Sequence, residues 1–250
     1  MSESSQSFSN FTFQAIGVAR TPFKDKFGIP RQPSLASRLK GLLKFQDHPD
    51  LKTALKSMET FSHLWVVFVF HKHGGKDWKP SIRPPRLGGA EKVGVLASRS
   101  PHRPNPIGIS VVKIEKINLE AQGGPEVEVS GVDLLDETPI LDVKPYIPYA
   151  DSVPDAVAGW AAAPIRRTEL EWSSEARNDL LAADPKGELE LEMMITEVLE
   201  LDPRPAFQQK QIPVGEPSSD GAKFGFDLVG YEVKYQIQGG KFLVLSVKPC

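Results

Sequence analysis

Apolar and polar residues alternate over short stretches in the first 150 residues, which is typical of β-strands. The pattern predicts strands over residues 13–20, 64–70, 93–97, 107–118, 126–132 and 139–143. Residues 64–70 are apolar on both faces, so this strand is expected at the centre of a buried sheet. Between the first two predicted strands, helical spacing predicts a helix at 50–58, with Asp50 as its N-cap. Successive strands with few helices favour a barrel or another closed sheet.

The pattern changes after Ser152. Small residues bounded by proline and glycine at 156–164 predict a linker. Helical spacing then predicts helices at 173–183, capped by Ser173, and at 188–201. Alternation on both sides of Gly239-Gly240 predicts a hairpin of residues 226–238 and 241–247. We therefore predict a mainly β protein with a flexible tail (1–12), a β-barrel domain (13–152) and a small α+β domain (165–250).

Composition is consistent with a globular protein in a reducing compartment. The apolar share is 40% and the charged share 25%, which is ordinary for a folded domain. Cys250 is the single cysteine, which excludes an internal disulfide framework and a cysteine metal cluster. The first ten residues are polar and serine-rich, unlike a signal peptide, and the longest apolar run is far short of the ~20 residues that span a bilayer. We expect a cytoplasmic protein without a membrane segment.

A net charge of −2 conceals a strongly basic stretch between residues 72 and 103. It holds eight basic residues, Lys72, Lys76, Lys79, Arg83, Arg86, Lys92, Arg99 and Arg103, against the acids Asp77 and Glu91. Screening limits the reach of each charge to about 10 Å, so a local basic patch can bind phosphates on a nearly neutral protein. A solvated loop without a partner is the alternative interpretation.

Two blocks stand out where conventional catalytic motifs are missing. No Gly-x-Gly-x-x-Gly follows a strand, which disfavours a Rossmann-type enzyme. The pair His71 and His73 lacks further ligands at metal spacing, so we expect no metal site. In residues 99–108, three prolines fix φ and orient Arg99, Arg103 and Asn105 in advance.

The second block, residues 131–152, places five acids, one lysine and two tyrosines among prolines and aliphatic residues. Apolar neighbours should draw these polar side chains partly inward. Such a cluster is more typical of a functional site than of a simple turn.

At these blocks the chain resembles the TrmO family (also TsaA-like), tRNA methyltransferases that modify N6 of threonylcarbamoyladenosine beside the anticodon. The similarity extends from about residue 13 to residue 247. The matching segments are 27–33 (FGIPRQP), 61–65 (FSHLW), 83–89 (RPPRLGG), 99–108 (RSPHRPNPIG), 133–136 (DLLD), 142–146 (DVKPY) and 201–206 (LDPRPA).

The resemblance implies a single-sheeted β-barrel, S-adenosylmethionine as cofactor and a homodimer with the cofactor near the subunit interface. The cofactor contacts that it implies are Pro30, Arg31, Gln32, His71, Lys72, Arg99, Ile109, Asp133, Leu134, Leu135 and Asp136. The chain departs from the family at two positions: Glu137 stands where glycine is common, and Phe207 stands where tyrosine is usual.

The implied chemistry requires a base and an RNA surface. Methyl transfer is an in-line displacement, and a ureido-type nitrogen attacks more readily when its proton is removed. Our candidates for this role are Asp142 first, then Lys144, Tyr146 and Tyr149. For contact with the tRNA we assign Arg83, Arg86, Arg103, Asn105 and Arg204, with Arg103 facing the threonyl carboxylate.

Three other functions remain open from sequence. A non-catalytic RNA-binding module would use the basic stretch without the methyl donor. A hydrolase would use the carboxylates Asp133, Asp136 and Asp142. A methyltransferase for a small molecule would leave the basic stretch and the second domain unexplained.

Overall fold

The computed structural model describes residues 10–25, 28–33, 35–73, 78–89 and 91–250. Most of the predicted tail (1–9), Phe27 of the first family segment, and Lys76 and Asp77 of the basic stretch lie outside these residues. Among the described residues, no helix has both the length and the apolar character needed to cross a bilayer.

The N-terminal part is a closed barrel of six antiparallel strands, in the order β1-β2-β7-β6-β3-β8. In chain order the elements are β1 (Gly17–Arg20), β2 (Lys40–Phe45), α1 (Pro49–Ala54), β3 (His63–Val69), β4 (Ser81–Ile82), β5 (Val93–Gly94), β6 (Ile107–Asn118), β7 (Glu126–Ser130), β8 (Thr138–Pro145) and α2 (Pro148–Asp151). The short β4 and β5 pair outside the barrel.

Alternation along the strands explains the closure of the barrel. On β3, Leu64, Val66 and Phe68 are buried while the residues between them are partly exposed. Val112 on β6 and Ile140 on β8 add to the same interior. A sheet with one apolar face buries that face most completely by closing on itself, which also removes the strand edges.

Two local predictions need correction, and one strand was not predicted. Residues 93–97 form only the two-residue β5, followed by a 3₁₀ turn at Val95–Ala97. Helix α1 ends at Ala54, and its N-cap is His48, whose Nδ1 accepts from the Asp50 N–H at 3.2 Å. The sequence pattern also missed β2, because the adjacent Leu42 and Leu43 break the alternation.

The C-terminal part is a four-stranded sheet with helices. Its elements are β9 (Leu170–Trp172), α3 (Ser174–Ala183), α4 (Leu191–Glu200), α5 (Ala206–Gln211), β10 (Lys223–Leu228), β11 (Tyr231–Gln238) and β12 (Lys241–Pro249), with the sheet order β10-β11-β12-β9. Leu191, Ile195 and Leu199 of α4 are fully buried, whereas Leu189 and Met193, which the sequence pattern placed on the same face as Leu199, are exposed. The predicted class, a mainly β protein with a barrel and a smaller α+β domain, is confirmed.

Candidate functional site

The loops that carry the predicted site residues emerge at one end of the barrel. Because neighbouring strands are antiparallel, the ends of β1, β3 and β7 lie beside the starts of β2, β6 and β8. The connections 21–39, 70–106 and 131–137 therefore share this end. They include the segments around Arg31, Arg99 and Asp133.

The loop before β6 is braced by its own polar groups. Ser98 Oγ donates to the Val95 carbonyl at 2.7 Å, and it accepts from the Ser100 N–H at 3.2 Å. Arg103 Nη1 donates to the Ser98 carbonyl at 3.2 Å, while Asn105 is exposed. The loop is therefore held in shape without a ligand.

Gly108 follows this loop for a steric reason. A Cβ at this position would lie 2.2 Å from Cζ of Phe68, a distance that real atoms do not reach. Glycine lets the Phe68 ring close the barrel directly under the first residues of β6. The loop that carries Arg99 therefore continues into a strand whose first residues are packed against the Phe68 ring.

Arg99 and Gln32, both predicted cofactor residues, contact each other. Arg99 Nη1 donates to Gln32 Oε1 at 2.8 Å, joining the β1–β2 connection to the loop before β6. Pro30 is buried and Arg31 is exposed, and Arg31 Nη2 donates to the Arg204 carbonyl at 3.4 Å. Arg99 is thus held beside Gln32 and leaves its remaining N–H groups available for a ligand.

Asp133 is a partly buried carboxylate in the same region. Burial raises its pKa to about 6, although a hydrogen bond from Ser110 and the charge of Arg99 act in the opposite direction. Ser110 Oγ donates to Asp133 Oδ1 at 2.6 Å. A carboxylate whose pKa stays raised beside an arginine is incompletely compensated, and a bound cation would stabilise its ionised form. Sequence reasoning missed Ser110, which carries no motif of its own.

The other residues of the acidic turn hold the chain itself. Burial would raise the pKa of Asp136, but the hydrogen bonds from Lys24 and the Thr21 N–H outweigh it and lower the pKa. Leu134 is buried in the core and Leu135 is partly buried. The side chains of Leu134 and Asp136 therefore stabilise the structure of the turn.

The backbone conformation at Glu137 shows why glycine is common at this position in the family. Its φ is +63°, in the left-handed region where glycine is favoured. The Glu137 carboxylate pairs with Arg20 on the adjacent strand. The ion pair lies on the surface. It forms at a residue whose left-handed backbone conformation has a free-energy cost for any side chain larger than that of glycine.

The candidate catalytic group lies on the outer wall of the barrel. Val67 of β3 is in register with Ile109 of β6 on one side and with Asp142 of β8 on the other. At about 4.8 Å per strand, Asp142 lies roughly 10 Å from Ile109, a predicted cofactor contact that is 48% exposed.

The neighbours of Asp142 are also defined. Lys144 Nζ lies 2.7 Å from Asp142 Oδ2. The Tyr146 ring lies 5.8 Å from the Trp65 ring. Beyond the end of β3, after Phe70, lie the partly buried His71 and the exposed Lys72.

A basic groove lies between the barrel loops and the C-terminal domain, with a volume of about 1910 Å³. Of its described lining residues, eleven are lysine or arginine and two, Glu169 and Asp202, are acidic. Arg83 and Arg86 line it as part of the predicted RNA surface, whereas Arg103 and Asn105 are not among its lining residues.

The linker supplies part of this groove. Trp160 Nε1 donates to the Ala97 carbonyl at 3.1 Å, and the Arg86 guanidinium donates to the Ala163 carbonyl. Arg166 and Arg167 then face the groove. The sequence pattern predicted a linker at 156–164 and assigned no role to the adjacent arginines that follow it.

Arg204, which we predicted to contact the RNA, is among the groove-lining residues, but its side chain is buried and paired within the protein. Arg204 is 3% exposed, and its guanidinium makes a two-point ion pair with Asp202 (2.7 and 2.6 Å) and donates to the Ile212 carbonyl. It also lies over the rings of Phe224 and Phe242. Arg204 organises the interior of the C-terminal domain, because aromatic residues from distant strands cover it.

No set of three or more histidine, cysteine, aspartate or glutamate side chains within the described residues is placed to hold a metal ion. A closed barrel that presents arginines and an undercompensated carboxylate beside a basic groove defines a ligand-binding barrel protein with a nucleic-acid surface. Comparison with known proteins gives the family: the tRNA-methyltransferase O N-terminal domain matches residues 18–152, and the TrmO C-terminal domain matches residues 165–250. The chain belongs to the TrmO family.

Relatives of nearly full length support this membership. The Escherichia coli protein named tRNA (adenine(37)-N6)-methyltransferase is 38% identical over 242 residues, which is 96% of this chain and 99% of that protein. A Pseudomonas aeruginosa protein, named putative S-adenosylmethionine-dependent methyltransferase RcsF, is 43% identical over 78% of this chain and 83% of its own. The crystal structure of TrmO from P. aeruginosa superposes with a TM-score of 0.75 at 34% identity, covering 98% of this chain and 100% of that one.

Proposed function

We propose that this protein is an S-adenosylmethionine-dependent methyltransferase that methylates N6 of adenine 37 in tRNA, next to the anticodon. The observation that carries the proposal is the position of the Arg99–Gln32 and Asp133–Ser110 pairs at the same end of the barrel, beside the basic groove. Family membership and the names of the relatives support the same activity.

The residues at the barrel end fit the methyl donor. S-adenosylmethionine carries a sulfonium, an amine and a carboxylate, and it supplies an electrophilic methyl group. Asp133, whose pKa is raised by burial, suits a cationic partner. Arg99 suits the carboxylate as a two-point donor, and Gln32 holds it in place. Ile109 offers an apolar contact on the adjacent strand.

On the substrate, we propose that the acceptor is the ureido nitrogen of threonylcarbamoyladenosine. Asp142 would accept the proton of this nitrogen. Lys144 would orient the Asp142 carboxylate, and Tyr146 would orient the adenine base. Arg103 would face the threonyl carboxylate. The groove would bind the phosphates of the anticodon stem, with Arg83, Arg86 and Arg166 among its contacts.

We also propose that the protein acts as a homodimer in the cytoplasm. The exposed Ile109 and the outer wall beside it are the surface on which a second subunit would complete the cofactor site. Analytical ultracentrifugation tests the assembly, and a protein that stays monomeric at micromolar concentration with full activity would contradict it.

The experiment is methyl transfer from labelled S-adenosylmethionine to tRNA with and without threonylcarbamoylation, followed by digestion and identification of the labelled nucleoside. We expect label on N6 of the modified adenosine only. RNA binding without label would favour the RNA-binding module. Label in a small molecule would favour a small-molecule methyltransferase, and donor-independent hydrolysis would favour a hydrolase.

A further inference from the structure

The β1–β2 connection carries the proposed cofactor residues 30–32, yet its described part is attached to the C-terminal domain. Glu197, on α4, accepts two hydrogen bonds from this connection through its two carboxylate oxygens. The Ser37 hydroxyl donates to Oε1 at 3.1 Å, and the Arg38 backbone N–H donates to Oε2 at 3.0 Å. One side chain of the second domain thus fixes both a side chain and the backbone of the connection.

Further contacts follow the same connection toward residue 28. Arg38 Nη1 pairs with Glu190 Oε1 at 2.9 Å, and Arg167 Nη2 lies 3.4 Å from the Leu35 carbonyl oxygen. Gly28, at φ +83°, lies so close to Phe226 that a Cβ would sit 3.3 Å from its ring. The connection is therefore held along most of its length, and not at a single point.

The packing between the two segments is tight. Residues 28–31 face Val198 and residues 201–203 across a cavity of only about 20 Å³, room for about one water molecule. At the end of this contact, Gln32 accepts from Arg99, which carries the constraint into the barrel loops. A displacement of α4 would move the residues that we assign to the cofactor.

We propose that Glu197 is a positioning residue, and that the C-terminal domain, besides binding RNA, orders the cofactor-binding segment of the barrel. This inference rests on the proposed function, because it assigns residues 30–32 to the methyl donor. The physical basis is preorganisation: a connection already held in its binding conformation loses less conformational entropy when the ligand binds.

The test compares Glu197→Ala with Glu192→Ala. Glu192 lies on the same helix but pairs with Arg177 of α3, within the C-terminal domain. Two partly exposed hydrogen bonds are worth about 1 kcal/mol together, so the dissociation constant for S-adenosylmethionine should rise about three- to tenfold in Glu197→Ala. It should stay unchanged in Glu192→Ala. In turnover, the KM for the donor should rise while kcat is retained.

A second readout needs no cofactor. Hydrogen exchange at residues 35–39 should accelerate in Glu197→Ala and stay at the wild-type rate in Glu192→Ala, with equal thermal unfolding of α4 and its domain in both. Unchanged donor affinity in Glu197→Ala, or an equal loss in both variants, would overturn the positioning role.

Donor binding and hydrogen exchange distinguish a failure of the proposed function from a failure of the positioning role. If the wild-type protein binds no S-adenosylmethionine, both the proposed function and the cofactor part of this inference are overturned. If it binds the donor but hydrogen exchange at residues 35–39 is unchanged in Glu197→Ala, only the positioning role is overturned.

Discussion

Asp133 and Asp136 lie three residues apart in one turn, and the structure predicts opposite effects of neutralising them. Folding raises the pKa of Asp133 from 3.8 to about 6, because burial disfavours its charge. Below pH 3.8 the group is neutral in both states and has no effect. Above pH 6 it is ionised in both, and the folded state carries the full cost of the buried charge.

The magnitude follows from the size of the pKa difference. The difference of about 2.2 units (6 minus 3.8) at about 1.4 kcal/mol per unit is about 3 kcal/mol. Asp133→Asn removes the charge and keeps an oxygen that can accept from Ser110. It should therefore stabilise the ligand-free protein by up to about 3 kcal/mol at pH 7.5, and the gain should approach zero near pH 4.

Asp136→Asn is the matched control. The pKa of Asp136 is lowered in the folded protein, so its contribution to stability is present above its unfolded pKa and is lost as the pH falls. At pH 7.5 this variant should lose about 1–3 kcal/mol, because the Thr21 N–H and Lys24 lose a charged acceptor.

The assay is urea unfolding of the wild type and both variants between pH 4 and 8, with calorimetric titration of S-adenosylmethionine at pH 7.5. We expect Asp133→Asn to be the more stable protein and the weaker binder, a trade between stability and function. Destabilisation by Asp133→Asn at pH 7.5, or a gain that does not change with pH, would refute the reasoning.

Three further predictions concern arginines and lysines. Arg99→Ala should weaken donor binding at least about tenfold in calorimetry with little change in thermal stability, because its guanidinium is exposed and reaches the ligand region; retained affinity would remove it from the site. Arg83→Ala and Lys210→Ala should each weaken tRNA binding and reduce its salt dependence by about 0.7–0.9 in the log–log slope, whereas Lys223→Ala, outside the groove lining, should not; equal effects of all three would refute the groove. Arg204→Ala should lower the unfolding free energy by about 3–5 kcal/mol, because it removes a buried guanidinium and leaves the partly buried Asp202 without its partner, and an unchanged melting temperature would contradict its structural role.

The long elements could be predicted because local pattern and burial agree. Strand β6 spans Ile107–Asn118 as predicted, and α3 begins after Ser173, whose hydroxyl accepts from the Ala176 N–H. By contrast, β9 has three residues and exists through its parallel pairing with β12. Its hydrogen bonds come from a distant segment, so no local pattern marks it.

The site shows the same division. Arg99 and Asp133 were within reach of sequence reasoning, because prolines and clustered acids mark their loops. Ser110 and Glu197 were not, because their roles come from the contacts with Asp133 and with the β1–β2 connection. Arg204 was assigned to the tRNA because it lies in a segment that matches the family, and no local pattern indicates that rings from β10 and β12 cover it.

The central claim is that the Arg99 loop and the Asp133 turn bind the same ligand at the end of the barrel. The most direct measurement is a crystal structure of the protein with S-adenosylhomocysteine. We predict density within hydrogen-bonding distance of both Arg99 and the segment 133–136, on the side of the basic groove. A ligand bound elsewhere, with these two segments untouched in either subunit of any dimer, would contradict the account.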